Sequence, residues 1–123
     1  MSEPSIVILV VDDEPPNLKA FARVFRTVCE VRTATSGRDA LELLKTEQVD
    51  LILADFSMPK MNGIELMIEL RRAHPEIPRY LLTAFADHDE VVEAEALGIT
   101  HGVIAKPWNK QEILALIGKH RKG

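Results

Sequence analysis

The sequence has few of the residues that mark disulfide-stabilised or membrane-spanning proteins. Its single cysteine, Cys29, can form no disulfide within the chain and has no cysteine partner for a metal site, so we expect a buried, unreactive thiol. No apolar run approaches the roughly 20 residues that a membrane-spanning helix needs. The start, Met1-Ser2-Glu3-Pro4, lacks the basic residues and the cleavage site of a signal peptide, which predicts a cytoplasmic protein.

Positive charge is also scarce. Asp and Glu outnumber Lys and Arg by 19 to 15, and the net charge is −4. The basic residues cluster only in a short tail, Lys119-His120-Arg121-Lys122, which we expect to be solvated. This balance argues against binding to nucleic acid or an anionic membrane through a basic surface. With 123 residues, the chain is predicted to form one domain over 1–123, with a core from about residue 6 to 117.

Aliphatic runs alternate with helical patterns along the chain. The segments 6–11 and 51–55 are apolar nearly throughout, as in strands buried on both faces of a parallel sheet. Segment 28–34 alternates apolar and polar residues and predicts an edge strand, and 80–84 and 103–105 supply two more strands. Five strand–helix units of this kind predict an α/β fold with a doubly wound parallel sheet and right-handed crossovers.

The predicted helices differ in how apolar their inner faces are. Phe21 and Phe25 belong to a clear stripe in the first helix, and Ile64, Met67 and Ile68 are predicted to face inward in the third. The fourth helix ends at Gly98, is acidic and has few apolar residues. We therefore expect it to be the most loosely packed element.

Polar side chains stand where four of the predicted strands end. Asp12 and Asp13 follow the first strand and Asp55 ends the third, while Thr83 and Lys106 close the fourth and fifth. Parallel strands share a direction, so these side chains meet at the edge of the sheet where open α/β folds bind ligands. Each one alone could simply end its strand or cap a turn. Their coincidence favours a functional site.

The residue types predict magnesium-dependent phosphoryl chemistry. Three carboxylates at close range repel one another, and oxygen ligands without a nearby His or Cys favour Mg²⁺ as the relieving cation. The four histidines, His74, His88, His101 and His120, are expected at the surface. A carboxylate such as Asp55 can attack a phosphoryl group, with Lys106 offsetting charge on the transferring oxygens. The Thr83 hydroxyl and the backbone N–H of Ala84 are candidate donors to those oxygens.

The motifs closely resemble those of the response regulator receiver domain of bacterial two-component signalling. The matching segments are Val10-Val11-Asp12-Asp13-Glu14, Asp55-Phe56-Ser57-Met58-Pro59, Met61-Asn62-Gly63, Leu82-Thr83-Ala84 and Lys106-Pro107. The resemblance implies a flavodoxin-like receiver fold with five helices and strand order 2-1-3-4-5. It implies Mg²⁺ ligands from Asp12, Asp13, Asp55 and the Ser57 carbonyl, and a cis peptide bond between Lys106 and Pro107.

The same resemblance implies a signalling role rather than classical catalysis. A sensor histidine kinase or phosphotransfer protein would donate phosphate to Asp55, and the chain would catalyse only its own phosphorylation and dephosphorylation. The face made by the fourth helix, fifth strand and fifth helix would then bind an effector protein or output domain, and homodimer formation on phosphorylation is left open. One position departs from the family pattern: Val103 stands where an aromatic residue is usual, so the chain lacks the ring that takes part in the family's switch.

Three other classes of protein need motifs that this sequence lacks. A flavodoxin-like cofactor protein needs a phosphate loop where this chain has Asp12-Asp13-Glu14, dinucleotide binding needs a Gly-x-Gly-x-x-Gly motif, and a haloacid-dehalogenase-type phosphatase needs Asp-x-Asp-x-Thr. The alternative that stays open is that the chain is the receiver part of a longer transcription factor or output enzyme. For Phe85, two positions remain open: in the core, or over the mouth of the site, where its ring would hinder water.

Overall fold

The computed structural model describes residues 6–121, in which five strands alternate with five helices. The strands are β1 (Val7–Val11), β2 (Glu30–Ala34), β3 (Leu51–Asp55), β4 (Arg79–Thr83) and β5 (Gly102–Ala105). The helices are α1 (Pro15–Phe25), α2 (Gly37–Leu43), α3 (Gly63–Ala73), α4 (Asp89–Ala96) and α5 (Lys110–His120). The predictions made for Met1 to Pro4 and for Lys122 lie outside the described residues.

All neighbouring strands are parallel, in the order β2-β1-β3-β4-β5, which confirms the predicted fold class and strand order. The central strand β3 is buried along its whole length, as a strand covered on both faces should be. The register pairs Val11 with Ala54, Asp55 with Leu82 and Thr83 with Ala105. The carboxyl ends of these strands therefore lie level with one another.

Helices cover both faces of the sheet. Phe21 and Phe25 of α1 share one apolar cluster with Ile113 and Ile117 of α5. The other cluster contains buried residues of α2, α3 and α4, among them Ala40, Leu66, Met67, Leu70, Val91 and Ala94. The two clusters bury the two faces of each inner strand, which is why the strand sequences are continuously apolar.

Helix α3 buries Ile64 and Met67 as predicted, but the third predicted residue, Ile68, does not join them. Ile68 is 47% exposed, so its predicted inward position is wrong, whereas Leu66 and Leu70 are buried with Met67. Gly63 at the start of α3 fixes this orientation, because a Cβ there would collide with the backbone oxygen of Asp55. With Gly63 against β3, residues three, four and seven positions later face the sheet, and Ile68 is turned about 100° away from Met67.

The edge strand β2 begins two residues later than predicted. The backbone N–H groups of Val28 and Cys29 donate to the Phe25 carbonyl, so the chain is still leaving α1 at these positions. Cys29 is buried as expected, and burial raises the pKa of its thiol to about 11. A thiol of this kind is almost entirely protonated at neutral pH and is a poor nucleophile.

A buried arginine, Arg79, lies at the edge of the sheet where the strands begin, and the sequence pattern does not reveal it. The Arg79 guanidinium donates to the carbonyl oxygens of Ile99 (2.7 Å), Gly98 (3.3 Å) and Ile77 (3.4 Å), and its burial lowers its pKa. These bonds tie the end of α4 to β4. Nearby, His120 is partly buried but reaches solvent, as its predicted surface position requires, and its Nε2 atom lies 2.8 Å from the Tyr80 hydroxyl. His74 is also partly buried, whereas His88 and His101 are exposed.

The helices are short and well capped. Asn62 and Glu65 form a reciprocal capping box at the start of α3, and Ser36 and Asn109 accept hydrogen bonds from backbone N–H groups at the starts of α2 and α5. None of the helices within residues 6–121 is long and apolar enough to cross a membrane.

Candidate metal and phosphoryl site

Three carboxylates converge where β1 and β3 end. Oxygen atoms of Asp12, Asp13 and Asp55 all lie within 4.8 Å of one another. Asp12 and Asp55 are buried, and Asp13 is partly exposed at the rim. The level ends of the parallel strands produce this cluster, because β1 and β3 are hydrogen-bonded neighbours that stop at the same height.

Asp12 is held by the first turn of α1. Its Oδ1 atom accepts from the Glu14 backbone N–H (2.9 Å) and its Oδ2 atom from the Asn17 side-chain amide (3.1 Å). Sequence reasoning missed Asn17. The available signal was its position in the first turn of the helix that directly follows the two aspartates. In contrast, no hydrogen bond to the Asp13 carboxylate is found in residues 6–121, so this group is free to bind a ligand.

Lys106 lies between two of the carboxylates. Its Nζ atom is 3.1 Å from Asp55 Oδ1 and 3.5 Å from Asp12 Oδ2. Burial raises the pKa of Asp55, the Lys106 ammonium lowers it, and the carboxylates of Asp12 and Asp13 raise it further. The net effect is a raised pKa. One ammonium therefore leaves the three acids incompletely compensated.

The other candidate residues also lie at the carboxyl ends of the strands. Thr83 is buried one residue beyond the partner of Asp55 on β4, and its Oγ1 atom accepts from the Phe85 backbone N–H at 2.9 Å. The hydroxyl hydrogen of Thr83 is thus free to donate elsewhere. Ala84 and Ser57 are exposed in the loops after β4 and β3. The peptide bond between Lys106 and Pro107 is cis, as the resemblance implied.

Phe85 is not a core residue. It is 53% exposed, so the core alternative considered for it is wrong. Its backbone N–H is fixed to Thr83, which holds the residue next to the end of β4. Whether its ring shields the site from water stays a prediction.

A cavity of about 540 Å³ opens beside the carboxylates, between α1 and the loop after β5. Asp12, Asn17 and Lys106 supply its polar lining, and Phe21 and Trp108 line its apolar wall. The indole of Trp108 lies 5.6 Å from the Phe21 ring and 5.3 Å from the Phe25 ring, measured between centroids. A group entering this cavity would approach the cluster along an apolar wall.

The donor set fits a magnesium ion. The site offers only hard oxygen ligands, and its buried negative charge exceeds what Lys106 offsets. No histidine or cysteine of residues 6–121 joins the cluster, which disfavours a soft-metal site. The predicted Ser57 carbonyl lies two residues beyond Asp55, in the exposed loop on the same side of the sheet.

Comparison with known proteins agrees with this geometry. The family model "Response regulator receiver domain" matches residues 8–118. Among curated proteins, the transcriptional regulatory protein GlrR of Escherichia coli is 33% identical over 118 residues, which are 95% of this chain and 26% of GlrR. The hydrogenase transcriptional regulatory protein HoxA of Cupriavidus necator is 32% identical over 88% of this chain and 22% of its own length. The chain spans about a quarter of the length of these relatives.

A solved structure of similar size has the same fold. The signal receiver domain of an HD domain-containing protein from Pseudomonas fluorescens superposes with a TM-score of 0.87 at 26% identity, covering 95% of this chain and 94% of that one. The chain therefore matches receiver domains over nearly the whole part that the structure describes.

Proposed function

Because this chain belongs to the response regulator receiver domain family, we propose that Asp55 accepts a phosphoryl group from a histidine kinase or phosphotransfer protein. Members of the family are signalling domains rather than classical enzymes. The observation that carries the proposal is the placement of a buried carboxylate, Asp55, between two further carboxylates and the Lys106 ammonium. A cytoplasmic location and a single domain over residues 1–123 belong to the same proposal.

Phosphoryl transfer needs a nucleophile that is held in line and charges that offset the transferring oxygens. A carboxylate oxygen of Asp55 attacks the donor phosphorus, a new phosphorus–oxygen bond forms, and the donor nitrogen leaves with the bonding electron pair. Lys106 and the Thr83 hydroxyl stabilise the phosphoryl oxygens, and the Ala84 backbone N–H is a further donor.

Asp12, Asp13, Asp55 and the Ser57 carbonyl would hold Mg²⁺. When bound, the ion neutralises carboxylate charge and polarises the phosphoryl oxygens. Asn17 positions Asp12 for this role through its amide hydrogen bond. Phosphorylation then changes the face formed by α4, β5 and α5, which binds an effector protein or output domain. The longer transcriptional regulators among the relatives support the alternative that this chain is part of such a protein.

The purified protein tests the proposal directly. We expect acetyl phosphate with Mg²⁺ to add one phosphoryl group, detected as intact mass and lost on treatment with hydroxylamine, as for an acyl phosphate. The same reaction with excess EDTA should give no product. Failure to incorporate phosphate from acetyl phosphate and from a panel of histidine kinases would exclude the phosphoryl-acceptor function.

The lifetime of the phosphorylated form should depend on Phe85. Hydrolysis requires a water molecule in line with the bond between phosphorus and Asp55, and the exposed ring of Phe85 stands beside the end of β4, where it would hinder that water. We expect Phe85→Ala to lose phosphate about tenfold faster, which corresponds to about 1.4 kcal/mol of barrier. The measurement is the decay of the purified phosphoprotein in Mg²⁺ buffer.

Val28→Ala is the matched control for Phe85→Ala. Val28 is another exposed apolar residue, but it follows α1 at the opposite edge of the sheet, so its variant should decay at the native rate. An equal or slower decay of Phe85→Ala would mean that Phe85 does not shield the phosphate.

A further inference from the structure

The loop between α4 and β5 is held to the first residue of β4 by several hydrogen bonds. The Arg79 carbonyl accepts from the His101 backbone N–H (2.8 Å) and from the Thr100 hydroxyl (3.0 Å). In return, the Arg79 backbone N–H donates to the imidazole Nδ1 atom of His101 at 3.1 Å. Together with the bonds from the Arg79 guanidinium to the carbonyls of Gly98 and Ile99, these contacts fasten residues 98–101 to one strand residue.

The hydrogen bond to Nδ1 exists only while the imidazole of His101 is neutral. A protonated ring carries a hydrogen on both nitrogens and can accept no hydrogen bond. The buried Arg79 N–H would then face a second donor and lose its acceptor, which is unfavourable. The Arg79 carbonyl offers the protonated ring no replacement, because its two lone pairs already accept from Thr100 and from the His101 backbone. Protonation of one side chain therefore weakens the attachment of the loop.

The groups packed around His101 also oppose a positive charge on its ring. On β4, the Arg79 guanidinium is buried without an ion pair to any carboxylate of residues 6–121, and the Tyr80 hydroxyl is neutral because burial raises its pKa. On α5, Lys119 adds positive charge, and His120 adds more once it is protonated. Burial and the Arg79 charge lower the pKa of His101, a hydrogen bond with the Arg79 backbone raises it, and the Lys119 charge lowers it. The net effect is a lowered pKa.

The acidic side chains near this cluster do not compensate these charges. They line two cavities at its borders, with Glu95 and Glu112 along β5, and Glu47, Asp50 and Glu76 next to His74 and His120. Within residues 6–121, none of them forms an ion pair or a hydrogen bond with His101. Arg71 of α3 adds a further positive charge beside Arg79. The surroundings of His101 thus favour its neutral form.

We propose that His101 is an acid-sensitive latch for the loop between α4 and β5, closed while its imidazole is neutral and released when the ring is protonated. The ring is exposed, so a proton reaches it directly from solvent. The latch lies at the edge of the sheet where the strands begin, away from the three carboxylates. It needs no phosphoryl group, and it is independent of the function proposed for Asp55.

Acid weakens the latch because His101 has a lower pKa in the folded chain than in an opened one. With the loop open, the ring titrates near its ordinary pKa of 6.5. As the pH falls through this value, the opened loop takes up the proton first, and the equilibrium shifts toward opening. The stabilisation is therefore complete above about pH 7 and is lost as the pH falls through the pKa of the folded form.

Nuclear magnetic resonance of the full chain tests the latch at the atoms that form it. Ring nitrogen shifts should show that neutral His101 carries its hydrogen on Nε2 and that its pKa lies below about 6.5. The amide signal of Arg79 should shift with the same midpoint. Amide hydrogen exchange of Arg79 and His101, corrected for the intrinsic rate at each pH, should accelerate at least about threefold from about pH 7.5 to 5.5, relative to amides of β1 and β3.

Three substitutions separate the hydrogen bond from the titration. His101→Asn places an amide oxygen near the position of Nδ1 and cannot be protonated there, so the amides of Arg79 and residue 101 should stay protected at both pH values. His101→Ala removes the acceptor, so protection of the Arg79 amide should be low at both. His74→Asn is the matched control, because no hydrogen bond of the His74 side chain is found in residues 6–121, and it should keep the native pH dependence.

Several results would overturn the latch. They are a hydrogen on Nδ1 of neutral His101, a pKa of His101 at or above about 6.5, equal corrected exchange at both pH values, or a native pH dependence in His101→Asn. His88 also accepts a backbone N–H through its Nδ1 atom, from Glu90 at the start of α4. Acid-induced exchange confined to that helix start would assign the effect to His88 and exclude the latch at His101. The titration of the native chain decides the matter even where a variant fails to fold.

Discussion

Asp55→Asn should take up no measurable phosphoryl group from acetyl phosphate under conditions that modify the native chain. The substitution keeps the shape of the side chain and one oxygen within reach of Lys106, but an amide is not a nucleophile toward phosphorus. We expect the rate of incorporation to fall by at least about a hundredfold, which corresponds to about 2.7 kcal/mol of barrier. The measurement is a time course of intact mass in Mg²⁺ buffer.

Asp39→Asn serves as the control for this variant. It makes the same chemical change on an exposed residue in the first turn of α2, and should be modified at the native rate. Peptide mapping of the native product should place the phosphoryl group on Asp55. Uptake by Asp55→Asn at the native rate, or a map that places the phosphate on Asp12 or Asp13 in the native chain, would show that another residue is the acceptor.

The site was predictable because it depends on where strands end. Residues 6–11 and 51–55 are apolar runs that stop at carboxylates, and parallel strands bring such stops to one edge. Asp12, Asp13, Asp55 and Lys106 could therefore be placed together before any distance was known. The residues that refine the site were not predictable in this way. Asn17 contacts Asp12 across the turn from β1 into α1, and no periodic pattern encodes that contact.

The features of the fold that the sequence did not predict also depend on contacts between separate elements. Arg79 does not change the strand pattern of β4, so the pattern gives no sign that this residue is buried. Its burial depends on carbonyl groups in the loop after α4, and the sequence does not show that this loop lies beside Arg79. Ile68 was predicted inward from helical spacing, but the contact between Gly63 and the Asp55 backbone sets the rotation of α3. Periodicity predicts that a helix has an inner face. Close contacts between elements decide which residues occupy it.

The metal site leads to a second prediction, in which one substitution has opposite effects with and without the ion. Asp13→Asn should stabilise the protein in the absence of Mg²⁺. The Asp13 carboxylate lies within 4.8 Å of those of Asp12 and Asp55, and no hydrogen bond to it is found in residues 6–121. Neutralising it removes two repulsions and breaks no contact. We expect the free energy of unfolding to rise by about 1 kcal/mol, or the Tm by about 3 to 6 °C for a chain of this size.

Saturating Mg²⁺ should reverse the ranking. An ion that binds only the folded chain adds about 2.7 kcal/mol of stability at a concentration one hundred times its Kd. The native protein should gain this stabilisation, whereas Asp13→Asn, which lacks one of the three charged ligands, should gain little of it. Thermal unfolding in EDTA and in a Mg²⁺ series measures both effects on the same samples without any phosphate donor.

Glu76→Gln separates the site from a general effect of net charge. It removes one negative charge from an exposed residue before β4, at the opposite edge of the sheet, and should respond to Mg²⁺ as the native chain does. Native Mg²⁺ stabilisation in Asp13→Asn would exclude Asp13 as a ligand. A lower Tm of Asp13→Asn in EDTA would show that the three carboxylates do not repel one another in the folded protein, and the charge imbalance from which we infer the metal would then be lost. Asp13→Asn should raise the Tm in EDTA and lower it relative to the native chain in Mg²⁺ only if the three carboxylates destabilise the folded protein and the ion relieves their repulsion. Functional sites commonly carry a cost in stability of this kind.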